Sequence, residues 1–357
     1  MPKLSTLTAI RKQAAWKYAL ALIVLLLAVT VGTGIGSVTI PPGEVIRILL
    51  QMLPGITAGE LEPSRVHIVT EIRLPRVLLA VFAGASLAAA GAAFQGLLRN
   101  PLADPYTLGA SSGAAVGAVG VIYFGITLPV LGSFTLPVAA IAGGIFSLYL
   151  VLLFARVVSR TMAVETIILV GIVLSSFLGS FISLMIALSG EELRQIIHWL
   201  MGSVGMRGWT HVGLIVPFFI AGSAFLLFNW RELNVFAFGE QSARHLGIDV
   251  KRKKQVIVTG AAILTGAAVA VSGMIGFVGL VVPHFVRLLT GPDHKHLVPL
   301  SAIAGGAFLV FADVIARTIL SPQELPIGVI TALIGAPVFG VILITRLRDK
   351  AANPRKV

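Results

Sequence analysis

"GASLAAAGAAFQGLLRNPLADP" (residues 84–105) and "GAAVAVSGMIGFVGLVVPHFVR" (residues 266–287) are the stretches on which the fold turns. Gly84, Gly91 and Pro101 of the first recur as Gly266, Gly273 and Pro283 of the second, at the same intervals of seven and ten residues. Each lies on or beside an apolar run of about 20 residues, the length of helix that crosses a hydrocarbon layer about 30 Å thick with every backbone polar group satisfied internally. Such runs recur along the chain, at roughly 17–34, 74–98, 106–125, 136–157, 164–188, 211–229, 255–272, 274–290, 297–318 and 326–345. They predict an all-α polytopic membrane protein of about ten transmembrane helices. The least distinct boundary separates the seventh run from the eighth, where "AVSGMIGFVGLVVP" offers only glycines as punctuation. The first copy begins in span two and the second in span seven. That offset is odd, so the copies enter the membrane in opposite senses. Spans 2–5 and 7–10 form an inverted repeat, an architecture that places a solute path between the related bundles.

The 357 residues are 57% hydrophobic and only 12% charged, about half the charged share, about 25%, of an ordinary soluble domain; the mean hydropathy is +0.97. The net charge of +12 does not point to nucleic acid, because Lys and Arg sit in short clusters between apolar runs, without a basic folded face or interleaved aromatics. With the N-terminus inside, the inner segments hold 20 of the 27 Lys and Arg, and the outer ones hold only Arg47, Arg65, Arg73, Arg76, Arg194, Arg207 and Arg317. This asymmetry over short loops puts both termini in the cytoplasm. Lys3, Arg11, Lys12 and Lys17 ahead of "YALALIVLLLAVTVGTGIG" imitate a signal peptide, but the apolar run is too long and no convincing cleavage site follows, so it reads as an uncleaved first span. The 38 glycines suit helices that must approach closely where lipid supplies no hydrophobic drive to pack.

Several chemistries lack their residues. There is no cysteine, hence no disulfide and no thiolate metal site. There is no G-x-x-x-x-G-K-[ST] run to cradle a phosphate. No acid or base stands in mid-span, as an ion-coupled carrier would need; the nearest, Asp313 and His284, fall toward span ends. His284, His294 and His296 in "PHFVRLLTGPDHKH" read as solvated inner-loop residues rather than metal ligands, and no haem-ligand spacing, carboxylate pair or Ser/His/Asp set is evident. The chain thus reads as non-catalytic, with no metal site and no cofactor of its own, and energy for uphill movement arrives from another subunit. The competing classes are a secondary carrier with inverted repeats, which would need mid-span coupling residues, and a membrane enzyme, which would need a catalytic constellation in the bilayer.

The longest inner segment is "NWRELNVFAFGEQSARHLGIDVKRKKQ" (residues 229–255). Within it a short helix opens near Gly239, carries Ala243 and Leu246 on one face and stops at Gly247. Such a helix can plug a groove on a soluble partner, or lie flat at the interface with "KRKK" on anionic headgroups. The residues alone leave these two even. On the outer face, "EIRLPRVLLAVFAG" (residues 71–84) sets Arg73 and Arg76 around Pro75, which marks the start of the helix. Guanidinium presents a rigid fork to a partner's carboxylate. The alternative is internal: Arg317 follows Asp313 by four residues, the favourable order for an ion pair, and Arg73 can meet Glu71 or snorkel to headgroups.

Four stretches together resemble the FecCD family, the membrane permeases of binding-protein-dependent ABC importers for ferric siderophores, haem and vitamin B12. They are "RLPRVLLAVFAGASLAAAGAAFQGLLRNPLADPYTLGASSGAAVGA", "FGEQSARHLGIDV", "SGMIGFVGLVVPHFVRLLTGPDHKHLVPLSAIAGGAFLVFADVIAR" and "ELPIGVITALIGAPVFGVIL". The similarity runs from about residue 20 to 348. It implies one transmembrane permease domain over residues 1–357, with 229–255 as a cytoplasmic coupling loop, in a multi-pass protein of the cytoplasmic (inner) membrane. The implied partners are a second permease subunit in a homodimer or a similar pair, two cytoplasmic ABC ATPases that carry ATP and magnesium, and an extracytoplasmic substrate-binding protein. The implied cargo is an iron chelate, haem or ferric siderophore, with cobalamin as the alternative. Residue by residue, the resemblance assigns binding-protein docking to Arg73, Arg76 and Arg317 and ATPase coupling to Gly239, Glu240, Ala243, Leu246 and Gly247. It places Gly171, Ser175 and Ser176 of span five along a translocation path at the permease interface. The "RNPLADP" turn at 99–105 is expected at the inner end of span two, where gate, ATPase contact and ordinary turn chemistry stay open.

Overall fold

The computed structural model describes residues 4–36, 38–52, 54–55, 61–106, 108–159 and 163–352. Lys3, Arg160, Arg355 and Lys356, which enter the charge count, lie outside them. The described residues are helical, with no strand. In chain order the helices are α1 (Leu4–Gly34), α2 (Pro42–Gln51), α3 (Pro63–His67), α4 (Leu74–Leu97), α5 (Ala110–Tyr123), α6 (Thr135–Val158), α7 (Val164–Leu188), α8 (Leu193–Leu200), α9 (Gly208–Phe228), α10 (Trp230–Phe236), α11 (Glu240–His245), α12 (Val250–Ser272), α13 (Val278–Thr290), α14 (His294–Thr318) and α15 (Ile327–Ala352). The ten expected spans fall on α1, α4, α5, α6, α7, α9, α12, α13, α14 and α15. Among the described residues seven are long and apolar enough to cross a bilayer, whereas α5, α13 and the apolar part of α15 are shorter.

The two short helices α5 and α13 hold equivalent places, second in their repeats. Each follows a non-helical stretch, 98–106 with 108–109 before α5 and 273–277 before α13. The glycine landmarks diverge here: α4 runs straight through Gly91 to Leu97, while α12 stops at Ser272 with Gly273 as its cap.

The repeats do not fold as separate bundles. The first helix of each packs on the second and third helices of the other, α4 on α13 and α14, and α12 on α5 and α6, while α4 and α12 also pack on each other and on α9. This exchange leaves α4 buried without a break from Ala83 to Leu97. Around it α7 turns Leu169, Val173, Phe177, Leu184 and Leu188 outward, and α1 turns out Leu26 and Leu27.

Close approach at glycine makes the exchange possible. A Cβ on Gly84 would overlap the carbonyl of Gly305 in α14, and one on Gly91 the carbonyl of Gly279 in α13. Backbone-to-backbone contact of this kind gains dispersion and removes side-chain ordering cost, which matters where lipid is as apolar as the helix surface.

One boundary differs from expectation. Helix does not begin at Leu74: Pro63–Leu97 forms one continuous helical stretch through a π turn, Ile68–Arg73, in which the Leu74 amide donates to the Val69 carbonyl. Pro75 has no amide hydrogen to continue the regular ladder, and the wider turn absorbs the mismatch. The added residue rotates Arg73 toward the core. The helices α2, α3 and α8 on the outer loops were not expected; Pro42 and Pro63 at the starts of α2 and α3 are the signal that would have found those two.

Substituting Gly91 with Val is expected to destabilise the fold by about 3 kcal/mol or more. Gly179→Ala on α7, where a Cβ meets nothing within 4 Å, is expected to leave it unchanged. Thermal unfolding in detergent, followed by loss of the monodisperse chromatographic peak, checks the pair.

Candidate functional site

Two polar clusters stand at opposite ends of the core. The outer one brings Arg76 of α4 and Arg317 of α14 onto Asp313, with Arg73 beside Arg317 against the end of α1. The Asp313 carboxylate is 0% exposed. It accepts from Arg76 Nε at 3.0 Å and Nη2 at 2.8 Å and lies 3.4 Å from Arg317 Nε. Arg76 also donates Nη1 to Glu324 Oε1 at 2.8 Å and Nη2 to Glu324 Oε2 at 3.0 Å. One guanidinium thus joins α4, α14 and the loop before α15. Arg317 Nη2 reaches the Gly32 carbonyl at 2.6 Å. Arg73, 5% exposed, donates to the carbonyls of Thr33 at 3.0 Å and Gly34 at 2.9 Å and to that of Val38. Thr33 and Gly34 are the last residues of α1, where a cation is favoured, and Val38 lies in the bend that follows.

Two guanidinia, Arg76 and Arg317, meet the two carboxylates, and Arg73, bonded only to backbone carbonyls, leaves the cluster one net positive charge. Burial separates the roles: Arg73 and Arg317 are closed in by the fold, and the Arg76–Glu324 pair forms its outward edge, with the Glu324 side chain 49% exposed. The hydrogen bond from Arg76 holds the Glu324 carboxyl below its ordinary value. The i,i+4 pair of Asp313 with Arg317 weighed on the sequence is present; a pair of Arg73 with Glu71 is not among the ion pairs of the described residues. Glu324, not singled out from the sequence, had one signal: an acid midway between Pro322 and Pro326 in "PQELPIG", on an outer loop otherwise sparse in charge.

The inner cluster is built on the loop between α9 and α12. Gly239 takes φ +103° and Gly247 φ +76°, conformations that glycine adopts without a Cβ clash, and between them lies α11. Ala243 and Leu246 do not share an environment. Ala243 is fully buried, whereas Leu246, where the helix has already ended, is 69% exposed, and Phe238, ahead of α11, is 79% exposed. The loop therefore anchors through Ala243 and presents Phe238 and Leu246. Its position is set by charge: Glu240 accepts from the buried Lys254, Glu232 and Asn229 from Lys253 at 2.7 and 2.9 Å, and the Asn234 side chain bonds Asp293 at 2.7 Å and the His294 amide at 2.8 Å. The Arg99 guanidinium, from the "RNPLADP" turn, lies against Gly239.

The histidines of this end are not solvated loop residues. His284 and His294 are buried, His294 packs on Gly96 and bonds Asn234, and His296 bonds the Tyr18 hydroxyl at 3.2 Å. His294 is buried because 291–296 returns the chain to the end of α4 at Gly96, which periodicity does not reveal.

On α7 the three expected residues separate. Gly171 is buried, and Ser175 Oγ is enclosed beside Gly109. Ser176 faces outward in a stripe with Ser180 and Ser183, each hydroxyl returned to the carbonyl four residues back. Spacings of four and three residues keep this stripe on one face, and it could have been read from "SSFLGSFISLM".

An all-helical membrane core of two interlocked inverted repeats, with an ion-paired outer face and a clamped inner loop, defines a transport permease. The chain belongs to the FecCD transport family, whose model matches residues 22–345, a family of permease components of ABC importers. It is 51% identical over 348 residues to the uncharacterized ABC transporter permease protein YvrB of Bacillus subtilis (98% of this chain, 99% of that protein). It is 46% identical to the cobalamin import system permease protein BtuC of Halobacterium salinarum (77% and 73%). With the hemin transport system permease protein HmuU of Yersinia pestis it shares 41% (80% and 86%). A solved inward-facing structure assigned to a metal-chelate type ABC transporter superposes with a TM-score of 0.79 at 32% identity, over 91% of this chain and 97% of that one. Permeases of this family work with ATPase and substrate-binding partners and are not themselves catalytic.

Asp313→Asn is expected to cost about 3–5 kcal/mol, because it leaves buried guanidinium charge uncompensated, against at most about 1 kcal/mol for Glu324→Gln on the exposed edge. The sign of the pH effect follows from the depressed Glu324 carboxyl. Its contribution is present above the ordinary carboxylate value, about 4.3, and is lost as pH falls through the lower folded one. Unfolding midpoints of the three proteins across a pH series check both statements; Glu324→Gln should lack that acid limb.

Proposed function

We propose that this chain is the transmembrane subunit of an ATP-driven importer for iron chelates, haem or ferric siderophore, working by alternating access at an interface between two permease copies in the cytoplasmic membrane. The whole chain acts as one permease domain. The observation that carries the reading is the inner loop. It offers two exposed apolar side chains, Phe238 and Leu246, on a base tied by ion pairs to α12 and by hydrogen bonds to the start of α14. A groove on a soluble ATPase that takes these side chains can move α12 and α14 with it. Gly239, Glu240, Ala243 and Gly247 then set the shape of the coupling element and Leu246 enters the partner. ATP and magnesium belong to that partner.

On the outer face we assign docking of the substrate-binding protein to the cluster of Arg73, Arg76 and Arg317. Arg76 is the member within reach of a carboxylate from outside, and Glu324 occupies that position meanwhile. A docking acid exchanges with Glu324, while Arg73 and Arg317 hold the ends of α1 and α14 beneath it. The cargo path runs along the outward face of α7 at Ser176, Ser180 and Ser183. Gly171 and Ser175, behind that face, let α7 pack on the neighbouring helices. Small hydroxylated residues whose bonds are returned to their own backbone let a bulky chelate pass without holding it.

Cobalamin is the second reading, favoured by the similarity to the cobalamin permease. Uptake into proteoliposomes holding this chain with its ATPase and binding protein, offered haem, a ferric siderophore or cobalamin at equal concentration, decides between them. ATP-dependent uptake of an iron chelate is expected, and uptake without ATPase would sink the importer reading. In the same assembly Arg76→Glu is expected to abolish docking, and Glu324→Gln, which removes the internal competitor, to strengthen it; binding-protein affinity on immobilised vesicles measures both. Leu246→Asp is expected to weaken ATPase association by about thirtyfold, the size of a truncated apolar anchor, read by co-purification and by loss of ATP-dependent uptake.

A further inference from the structure

The sequence run Lys251–Lys254 is only half used by the inner loop. Lys253 is bonded to Glu232 and Asn229, and Lys254 to Glu240. Lys251 and Arg252 are exposed, and among the described residues neither side chain forms an ion pair. Arg252 gives only its backbone amide, to Asp249 at 3.0 Å, so the Asp249 carboxylate is engaged in capping α12.

Arg252 lies at the mouth of a groove. α9 and α12 cross at Gly222 and Gly260, where a Cβ on Gly260 would sit 2.7 Å from Phe225 Cβ. From that level toward their inner ends the two helices leave a wedge of about 760 Å³ between them, walled by Ala221, Ala224, Phe225, Phe228 and Val256 and closed at the inner end by Asn229, Asp249, Arg252 and Lys253. Phe228 is 84% exposed and Phe225 40%. The wall is apolar over the depth that faces hydrocarbon, and the unpaired cation stands where the helices leave it.

We propose that this wedge binds an anionic phospholipid of the inner leaflet, one acyl chain lying between α9 and α12 and the headgroup phosphate on Arg252, with Lys251 beside it. Charge and depth agree: an apolar slot of this shape takes a chain, and a guanidinium at its interfacial end takes a phosphate through two parallel hydrogen bonds. Lys253, neutralised by Glu232, forms the wall rather than the anion site. The site shares α12 with the inner loop, since the buried Lys254, two residues on from Arg252, holds Glu240. Lipid occupancy is independent of whether that loop drives transport.

The test uses the full-length chain, purified in detergent and equilibrated with mixed micelles of phosphatidylcholine and phosphatidylglycerol, with retained lipids counted by native mass spectrometry. Phosphatidylglycerol should be retained in preference to phosphatidylcholine. Arg252→Glu should lower its retention by roughly fivefold or more, the effect expected for a Lys or Arg at the lipid surface. Arg252→Lys should keep most of it, and Ala224→Trp, which fills the wedge without touching charge, should lower retention of both lipids. Arg231→Glu, whose guanidinium stacks on Trp230 outside the wedge, should change nothing. Equal retention of the two lipids by the unaltered chain, an unaffected Arg252→Glu variant, or an equal loss in Arg231→Glu would overturn the proposal. So would a photo-crosslinker at position 252 that captures the ATPase subunit rather than lipid in the assembled transporter.

Discussion

Inside a bilayer the hydrophobic effect does not drive one apolar helix onto another, so close packing and buried polar contacts carry association. The chain meets this constraint on α4. Gly84, Gly91 and Gly96 bring its backbone against Gly305, Gly279 and the His294 ring, and any side chain there would push the partner away. Because those partners belong to the opposite repeat, the same contacts that pack α4 also fix how the two repeats sit together. The outer arginine cluster and the inner loop inherit their separation from that geometry.

Polar contacts then clamp the helix ends. Outside, Arg73 joins the start of α4 to the carbonyls that end α1, Arg76 joins α4 to α14 and to the loop before α15, and Arg317 joins α14 to α1. Inside, Lys253, Lys254 and Asn234 hold the loop to α12 and α14. Helix α14 carries both ends: Asp313 at the outer cluster and His294 at the inner one stand about 30 Å apart along a continuous helix. A helix pinned at both faces is suited to carrying displacement from one to the other, which unites the two clusters in one device.

The apolar runs and the relation of the repeats were legible because hydropathy over about 20 residues and motif spacing are local properties. The family motifs were legible for the same reason: each is a contiguous string. What was not legible was long-range pairing. Arg76 meets Asp313 and Glu324, more than 230 residues away, and no periodicity announces it. The division of Ala243 from Leu246, and of Gly171 and Ser175 from Ser176, was missed because helical spacing says which residues share a face but not which face the fold covers.

The sequence by itself determined that this is a polytopic helical permease of a particular family and that its own residues include no nucleotide-binding loop. These are matters of composition and contiguous motif. Only the tertiary structure decided that the repeats interlock through α4 and α12, that two of the three outer arginines are closed in by the fold while one faces outward against Glu324, and that Phe238 and Leu246 are the side chains the inner loop presents. The physical reason is that burial and ion pairing are properties of neighbours, and here the neighbours come from opposite halves of the chain.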